Sequence, residues 1–217
     1  EELDNIGIEN ICLIINPEER RLYEDSFLKP ITPNHYSKLP PAMKEYENKL
    51  QRLSKKLQFV CQYEQKGFGH AVFQAADFAH EDPILLLLGD TIYESYISQP
   101  CTGQLLEAFD IYGGPAVAIQ EVPYEEVSNY GIFSGTWEDE GRKVMRCTQI
   151  VEKPTTFYAR EFLSVKSADM RECCYGAFGA YVLTPEVFQR LSKIIDKDID
   201  EIGLTEVLNS ICNDKLL

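Results

Sequence analysis

The chain predicts an α/β domain, and three observations carry that reading. An apolar run at residues 57–62 leads through Gly67-Phe68-Gly69 into residues 70–79, whose apolar positions recur at helical spacing. Pro83 then opens an uninterrupted apolar run at 84–88, bounded by turn residues, as a strand buried on both faces of a parallel sheet would read. Strand and helix signals go on alternating to the last helix, the order expected of a largely parallel sheet with flanking helices.

The Gly67–Gly69 turn has room for a flat base or a phosphate to approach backbone N–H groups, which a bulkier side chain would block. Gly89-Asp90 closes the 84–88 strand. A carboxylate just past the C-terminal end of such a strand lies where open α/β sheets bind their ligands. A nucleotide with a metal is the natural occupant.

The remaining elements follow in order. Residues 1–7 read as the end of a helix closed by Gly7, and 8–15 as a buried strand. Pro17 opens a short helix, and the proline-punctuated stretch 30–41 reads as a loop. The helix at 40–56 places Met43, Tyr46, Leu50 and Leu53 on one face, with its start set by proline. Beyond Asp90, a helix is expected at 103–112 and a strand at 115–120. Residues 131–136 and 143–151 form a hairpin that Lys153-Pro154 ends. The charged stretch 155–172 carries no clear periodicity. A strand at 175–183 precedes a helix from Pro185 to Ile195, with Thr184 as its cap and Val187, Phe188, Leu191, Ile194 and Ile195 on one side. Thr205 is the expected cap of a last helix at 206–212.

With 217 residues and 44% apolar content, the chain is long enough for one domain with a full core. It carries 35 acidic and 21 basic side chains, a net charge of −14, and no basic stripe. That argues against nucleic acid as a partner, because counterions on a polyphosphate could not be replaced. A single nucleotide, held by a few amides, one lysine and a divalent cation, is compatible. The seven cysteines include no C-x-x-C pair, and most lie in apolar runs, which points to a reduced, cytoplasmic core. No apolar run is long enough for a membrane span.

Six ordered blocks give the chain a family likeness: Gln62-Tyr-Glu-Gln-Lys-Gly67-Phe-Gly69-His-Ala71, Leu-Leu-Gly-Asp90, Asn129-Tyr-Gly131, Val-Glu152-Lys153-Pro, Gly179-Ala-Tyr-Val-Leu and Asp200-Glu-Ile-Gly-Leu-Thr-Glu206. Together they resemble the sugar-1-phosphate nucleotidylyltransferases, and within them the bacterial-type UTP–glucose-1-phosphate uridylyltransferases. The resemblance implies a Rossmann-like, mixed and mostly parallel sheet flanked by helices, the nucleotide-diphospho-sugar transferase fold. It implies transfer of a uridylyl group from UTP to glucose 1-phosphate, giving UDP-glucose and pyrophosphate. By the same resemblance Gln62 bonds the pyrimidine, Gly67 meets it with backbone groups, and Asp90 ligates Mg²⁺. Gly131 and Gly179 lie close to the sugar, Glu152 accepts from its hydroxyls, and Lys153 holds its phosphate. Asp90 and Lys153 are thus the catalytic candidates. Small-molecule substrates are the implied partners; a homo-oligomer is compatible.

Two parts of the family pattern are not found, the G-x-G-T-R loop after a first strand and a second metal-binding aspartate beyond the block at 200–206. The expectation is one domain over 1–217, lacking the family's first strand and C-terminal part, and poorly active alone. Two other readings stay open. The Leu-Gly-Asp-Thr-Ile-Tyr block resembles thymidylyltransferases equally, and a non-catalytic module could retain sugar-nucleotide recognition.

Overall fold

The computed structural model describes residues 3, 6–138, 140, 141, 143–195, 197 and 199–214. Its strands are β1 (Ile11–Ile15), β2 (Leu57–Cys61), β3 (Ile84–Leu87), β4 (Ala116–Val122), β5 (Gly131–Trp137), β6 (Met145–Glu152), β7 (Val165–Lys166) and β8 (Glu172–Leu183). The α-helices are α1 (Arg20–Phe27), α2 (Pro33–Lys38), α3 (Pro41–Ser54), α4 (Phe68–Phe73), α5 (Ala76–Ala79), α6 (Cys101–Tyr112), α7 (Pro185–Ile195) and α8 (Leu204–Asp214).

The mixed α/β class stands, but the pairing departs from a mostly parallel sheet. Among the described residues only β1 and β2 pair in parallel. The other six strands form one sheet whose pairings are all antiparallel. The reason is β8, a twelve-residue strand that returns through the middle. On one of its edges lies β4, paired from Ala116↔Val182 to Val122↔Cys174. The other edge is shared. Its later half takes β3, from Ile84↔Leu183 to Leu87↔Ala180, and its earlier half takes β5 at Ile132↔Gly176 and Phe133↔Tyr175. The apolar run at 84–88 suggested a strand covered on both faces, yet each residue of β3 is half-buried.

Helices α7 and α8 cover the sheet as their apolar spacing requires. Val187 and Leu191 are fully buried, and Val207, Leu208 and Ile211 join them with Phe133, Ile150 and Leu183 in the main core cluster. Two smaller clusters form beside it, one around Val127, Ile132 and Leu163 and one around Leu105 and Val182.

Several local expectations shift. The helix end expected at 1–7 lies mostly outside the described residues. The proline-rich stretch holds α2, because Thr32 accepts from the His35 N–H at 3.3 Å while Pro33 sits in the first turn. Proline there starts a helix instead of punctuating a loop. The helix foreseen at 70–79 is two, α4 and α5. The unassigned 155–172 stretch begins with Thr155 capping a helical turn, followed by a π turn at Ala159–Leu163 and then β7. Thr184 contributes only its carbonyl to the start of α7, accepting from Val187 at 3.0 Å; its hydroxyl is buried without a partner among the described residues. Among the described residues no cysteine forms a disulfide.

Within its sheet β6 pairs only with β5, so its other edge must satisfy its amides elsewhere. Asn209 of α8 does so, its Oδ1 accepting from the Ile150 N–H at 2.8 Å. Asn209→Leu leaves that donor unmatched, a cost of about 2 kcal/mol. The expected fall in Tm is roughly 4–8 °C for a domain of this size, while Asn209→Asp, which keeps the acceptor, falls less. Equal melting of the Leu variant and the parent would contradict this tie.

Candidate functional site

The predicted site residues lie in three groups. Gln62 and Gly67 stand at the glycine loop after β2. Asp90 stands in the turn after β3, with Gly179 of β8 beneath it. Gly131, Glu152 and Lys153 stand where β5 begins and β6 ends.

Strand topology brings the second and third groups together. β3 leaves β8 after Ala180, and β5 joins the same edge at Gly176, so the edge between them is where the two strands part. Leu88 N–H still bonds the Gly179 carbonyl at 2.9 Å, and the Tyr93 hydroxyl donates to that carbonyl at 2.6 Å. Gly179 has φ +73°, and a Cβ there would come within 2.7 Å of Thr91 Oγ1 and 3.1 Å of the Tyr93 hydroxyl. The close approach foreseen for a sugar is thus occupied by the Asp90 loop. Glycine is needed so that this loop can cross β8 in a left-handed bend. Asp90 itself is exposed, with the Thr91 hydroxyl 3.4 Å from its Oδ1.

Gly131 and Glu152 are direct register partners at the other strand ends. A Cβ on Gly131 would sit 3.0 Å from Glu152 Oε2, so glycine leaves that carboxylate its space. Thr205 Oγ1 donates to the same oxygen at 2.7 Å. Thr205 was expected as a cap, but α8 begins one residue earlier, at Leu204, and its hydroxyl goes to Glu152 instead. The start of α8 also favours a nearby carboxylate, by about 0.3–1 kcal/mol. Lys153 follows with φ +45°, its N–H bonded to the Tyr130 carbonyl at 2.9 Å. Residues before proline avoid the right-handed helical region, and a left-handed non-glycine residue costs about 1–2 kcal/mol. The bend turns neighbours that would alternate along a strand to one side: Lys153 Nζ lies 4.0 Å from Glu152 Oε1 and is well exposed. Strain of this kind gathers at functional sites.

The glycine loop is set by packing as well. Ile202 N–H bonds the Lys66 carbonyl, and Gly69 N–H bonds the Ile202 carbonyl, both at 2.8 Å. A Cβ on Gly67, at φ +90°, or on Gly69 would come within 2.8 or 2.9 Å of the Ile202 carbonyl. The Gly69 amide is therefore spent on Ile202. Gln62 directs its amide nitrogen to His70 Nδ1 at 3.0 Å and to the Gly67 carbonyl at 3.5 Å. Three residues beyond Ile202 comes Thr205, so one short segment holds both the glycine loop and the Glu152 end.

Sequence reasoning missed Tyr181, which links the groups. It is buried on β8, with its ring 6.2 Å from that of Phe68 in the glycine loop. Burial first, then the charge of Glu152 and the phenol of Tyr93, push its hydroxyl up to about 12. Thr205 was read only as a helix cap, because a threonine two residues past a glycine carries no signature of the carboxylate it meets.

Among the described residues no group of three or more His, Cys, Asp or Glu side chains could hold a metal ion. Asp90 can offer one exposed carboxylate, which suits Mg²⁺, an ion that commonly takes one or two carboxylates and completes its shell with phosphate oxygens and water. A shallow surface groove lies elsewhere, lined by Glu186, Gln189, Arg190, Lys193, Ile194 and Ser210. Arg190 there is bonded to Glu186 and Ser210, and none of the predicted residues line it.

The family model for nucleotidyl transferases matches residues 1–216, and the chain belongs to that family. It is 31% identical over 213 residues to the UTP–glucose-1-phosphate uridylyltransferase of Staphylococcus epidermidis, covering 96% of this chain and 67% of that protein. With the enzyme of the same name from Staphylococcus haemolyticus it shares 32% identity over 222 residues, covering 99% and 69%. The fold is that of a UDP-glucose pyrophosphorylase solved with UDP-glucose, with TM-score 0.76 at 24% identity over 98% of this chain and 72% of that one. UTP-bound UGPase from Acinetobacter baumannii superposes with TM-score 0.69 at 21% identity, over 97% and 68%.

The raised pKa of Tyr181 makes a sign-specific prediction. Its contribution is intact below the ordinary phenol value near 10 and is lost as pH rises from 10 toward 12, because the unfolded chain ionises first. At pH 11 that loss is about 1.4 kcal/mol. Urea midpoints measured at pH 9 and pH 11 should fall further for the wild type than for Tyr181→Phe. Parallel falls would contradict the burial of this hydroxyl beside Glu152.

Proposed function

We propose that the chain binds UTP and glucose 1-phosphate and transfers the uridylyl group between them, releasing pyrophosphate, as one nucleotidyltransferase domain. What supports this reading is the divided edge of β8, with the Asp90 loop where β3 leaves it and Gly131, the register partner of Glu152, where β5 joins it, and the glycine loop linked to Glu152 through the 202–205 segment. The names of the relatives agree with it.

In this reading the Gln62 amide and the Gly67 backbone hold the uracil edge. Glu152, steadied by Thr205, accepts from hydroxyls of the hexose beside Gly131. Lys153 reaches the phosphate of glucose 1-phosphate, and Gly179 acts indirectly, by seating the Asp90 loop. A phosphate oxygen of the sugar attacks the α-phosphorus of UTP in line, and pyrophosphate departs. No covalent enzyme intermediate is needed, so the work is positioning two polyanions and offsetting their charge. The Lys153 ammonium does so at the nucleophile. Mg²⁺ held at Asp90 would supply further neutralisation between the phosphates. The acidic surface makes localised cations necessary, since the net charge of −14 repels both substrates. The cytoplasm, where UTP and reduced thiols occur together, is the compartment this chemistry fits; no described helix is long and apolar enough to cross a membrane.

Isothermal titration with UDP-glucose, with and without Mg²⁺, tests the assignment. Binding should weaken roughly tenfold or more in both Lys153→Ala and Gln62→Ala, as expected when a charged or paired contact is removed. A folded chain that binds no UDP-glucose, or variants that bind it undiminished, would refute it.

A further inference from the structure

Two thiols that the transfer reaction does not use face each other between β6 and α8, and a bulge in β6 helps to put them there. Cys147 and Ile150 are three residues apart and would point to opposite faces of a regular strand. The register of β5 with β6 passes from Ser134↔Gln149 to Gly135↔Cys147, which leaves Thr148 as an extra residue. Gly135 makes room for it, because a Cβ there would run into the Arg146 carbonyl. The extra residue turns Cys147 to the face of Ile150: Ile150 lies in the main core cluster and Cys147 packs against it. On α8, Asn209 and Cys212 share a face at i, i+3 spacing. Asn209 Oδ1 accepts from the Ile150 N–H at 2.8 Å. One turn further on, Cys212 packs against the same cluster as Cys147. The two thiols are hydrogen-bonded to each other there, and both residues are half-buried.

We propose that Cys147 and Cys212 close into a reversible disulfide when the chain meets a peroxide, fastening α8 to β6. The hydrogen bond to Cys212, and then burial, push the Cys147 thiol far above the ordinary range, so Cys147 keeps its proton and Cys212 is the attacking sulfur. As a thiolate, Cys212 attacks one oxygen of hydrogen peroxide, the O–O bond breaks, hydroxide leaves, and Cys212 becomes a sulfenic acid. The Cys147 sulfur then attacks that sulfur. The S–S bond forms, the S–O bond breaks, and the second oxygen departs as water with the Cys147 proton. Over both steps the two thiols give up two electrons and two protons, and one peroxide becomes two waters. A reducing dithiol reverses the change by thiol–disulfide exchange. In a reducing compartment such a pair rests as thiols and closes only as oxidant rises. The elements it joins are the two that bring Thr205 to Glu152, and the inference holds whatever ligand binds there.

Hydrogen peroxide added to the folded full chain, followed by thiol blocking, non-reducing digestion and mass spectrometry, tests this. The expected product is a peptide pair linked through Cys147 and Cys212. Thiols titrated in denaturant should fall from seven to five, and dithiothreitol should restore them. Closing so long a loop should raise Tm by about 5 °C or more, a rise that Cys147→Ser and Cys212→Ser lack. Exchange of the Ile150 amide, held by Asn209 of α8, should slow roughly tenfold in the oxidised chain. Peroxide that leaves all seven thiols intact, links other cysteines instead, or carries Cys212 irreversibly to sulfinic acid overturns the proposal. Ile150 exchange that is unchanged or faster after oxidation also overturns it, because the bridge then fails to fasten α8 to β6. The peptide map is read on the wild-type chain, so it decides the matter even should a serine variant fail to fold.

Discussion

The constraint on which the rest depends is that one strand serves two neighbours along a single edge. β8 pairs with β4 along one side, while its other side is divided between β3 and β5. Backbone groups between the two neighbours cannot be satisfied by a continuous ladder. The Gly179 carbonyl solves this by accepting from the Leu88 N–H and the Tyr93 hydroxyl, which draws the Asp90 loop across the gap. A left-handed glycine is the residue that lets the strand bend under that loop. The Asp90 loop therefore lies across the place where the sheet cannot close.

The same logic explains why so few residues need to be strained. Glu152 and Lys153 are sequence neighbours, and on a regular strand they would point apart. The left-handed bend at Lys153, just before Pro154, brings both to one side at a cost of about 1–2 kcal/mol. The core of α7 and α8 against the sheet is large enough to carry that cost. Thr205 then binds Glu152, and Ile202 binds the glycine loop, so the 202–205 segment ties the glycine loop to the end of β6. That short segment joins two distant parts of the chain.

Much of this was legible in the amino-acid sequence, and the failures have physical causes. The strand, glycine turn, helix, strand and Asp90 run was readable because period and punctuation are local properties. The buried face of α7 was readable for the same reason. Pairing direction was not, because an apolar run such as residues 84–88 reads alike whether its partner runs parallel or antiparallel. Gly67, Gly69 and Gly179 were read as places where a ligand comes close. What approaches them is Ile202, Thr91 and Tyr93, and contacts more than eighty residues away in the chain leave no periodic trace. Thr205's bond to Glu152 and the burial of Tyr181 were not foreseen because each depends on partners that folding delivers.

The central claim is that ligand binds where β3 and β5 part on β8, not in the groove beside α7 and α8. Amide chemical-shift mapping of the chain during titration with UDP-glucose addresses it directly. The largest perturbations should fall at residues 62–70, 88–93, 131, 152–153 and 202–205. Perturbations centred on Glu186, Arg190 and Ser210, with the first set unmoved, would contradict the account.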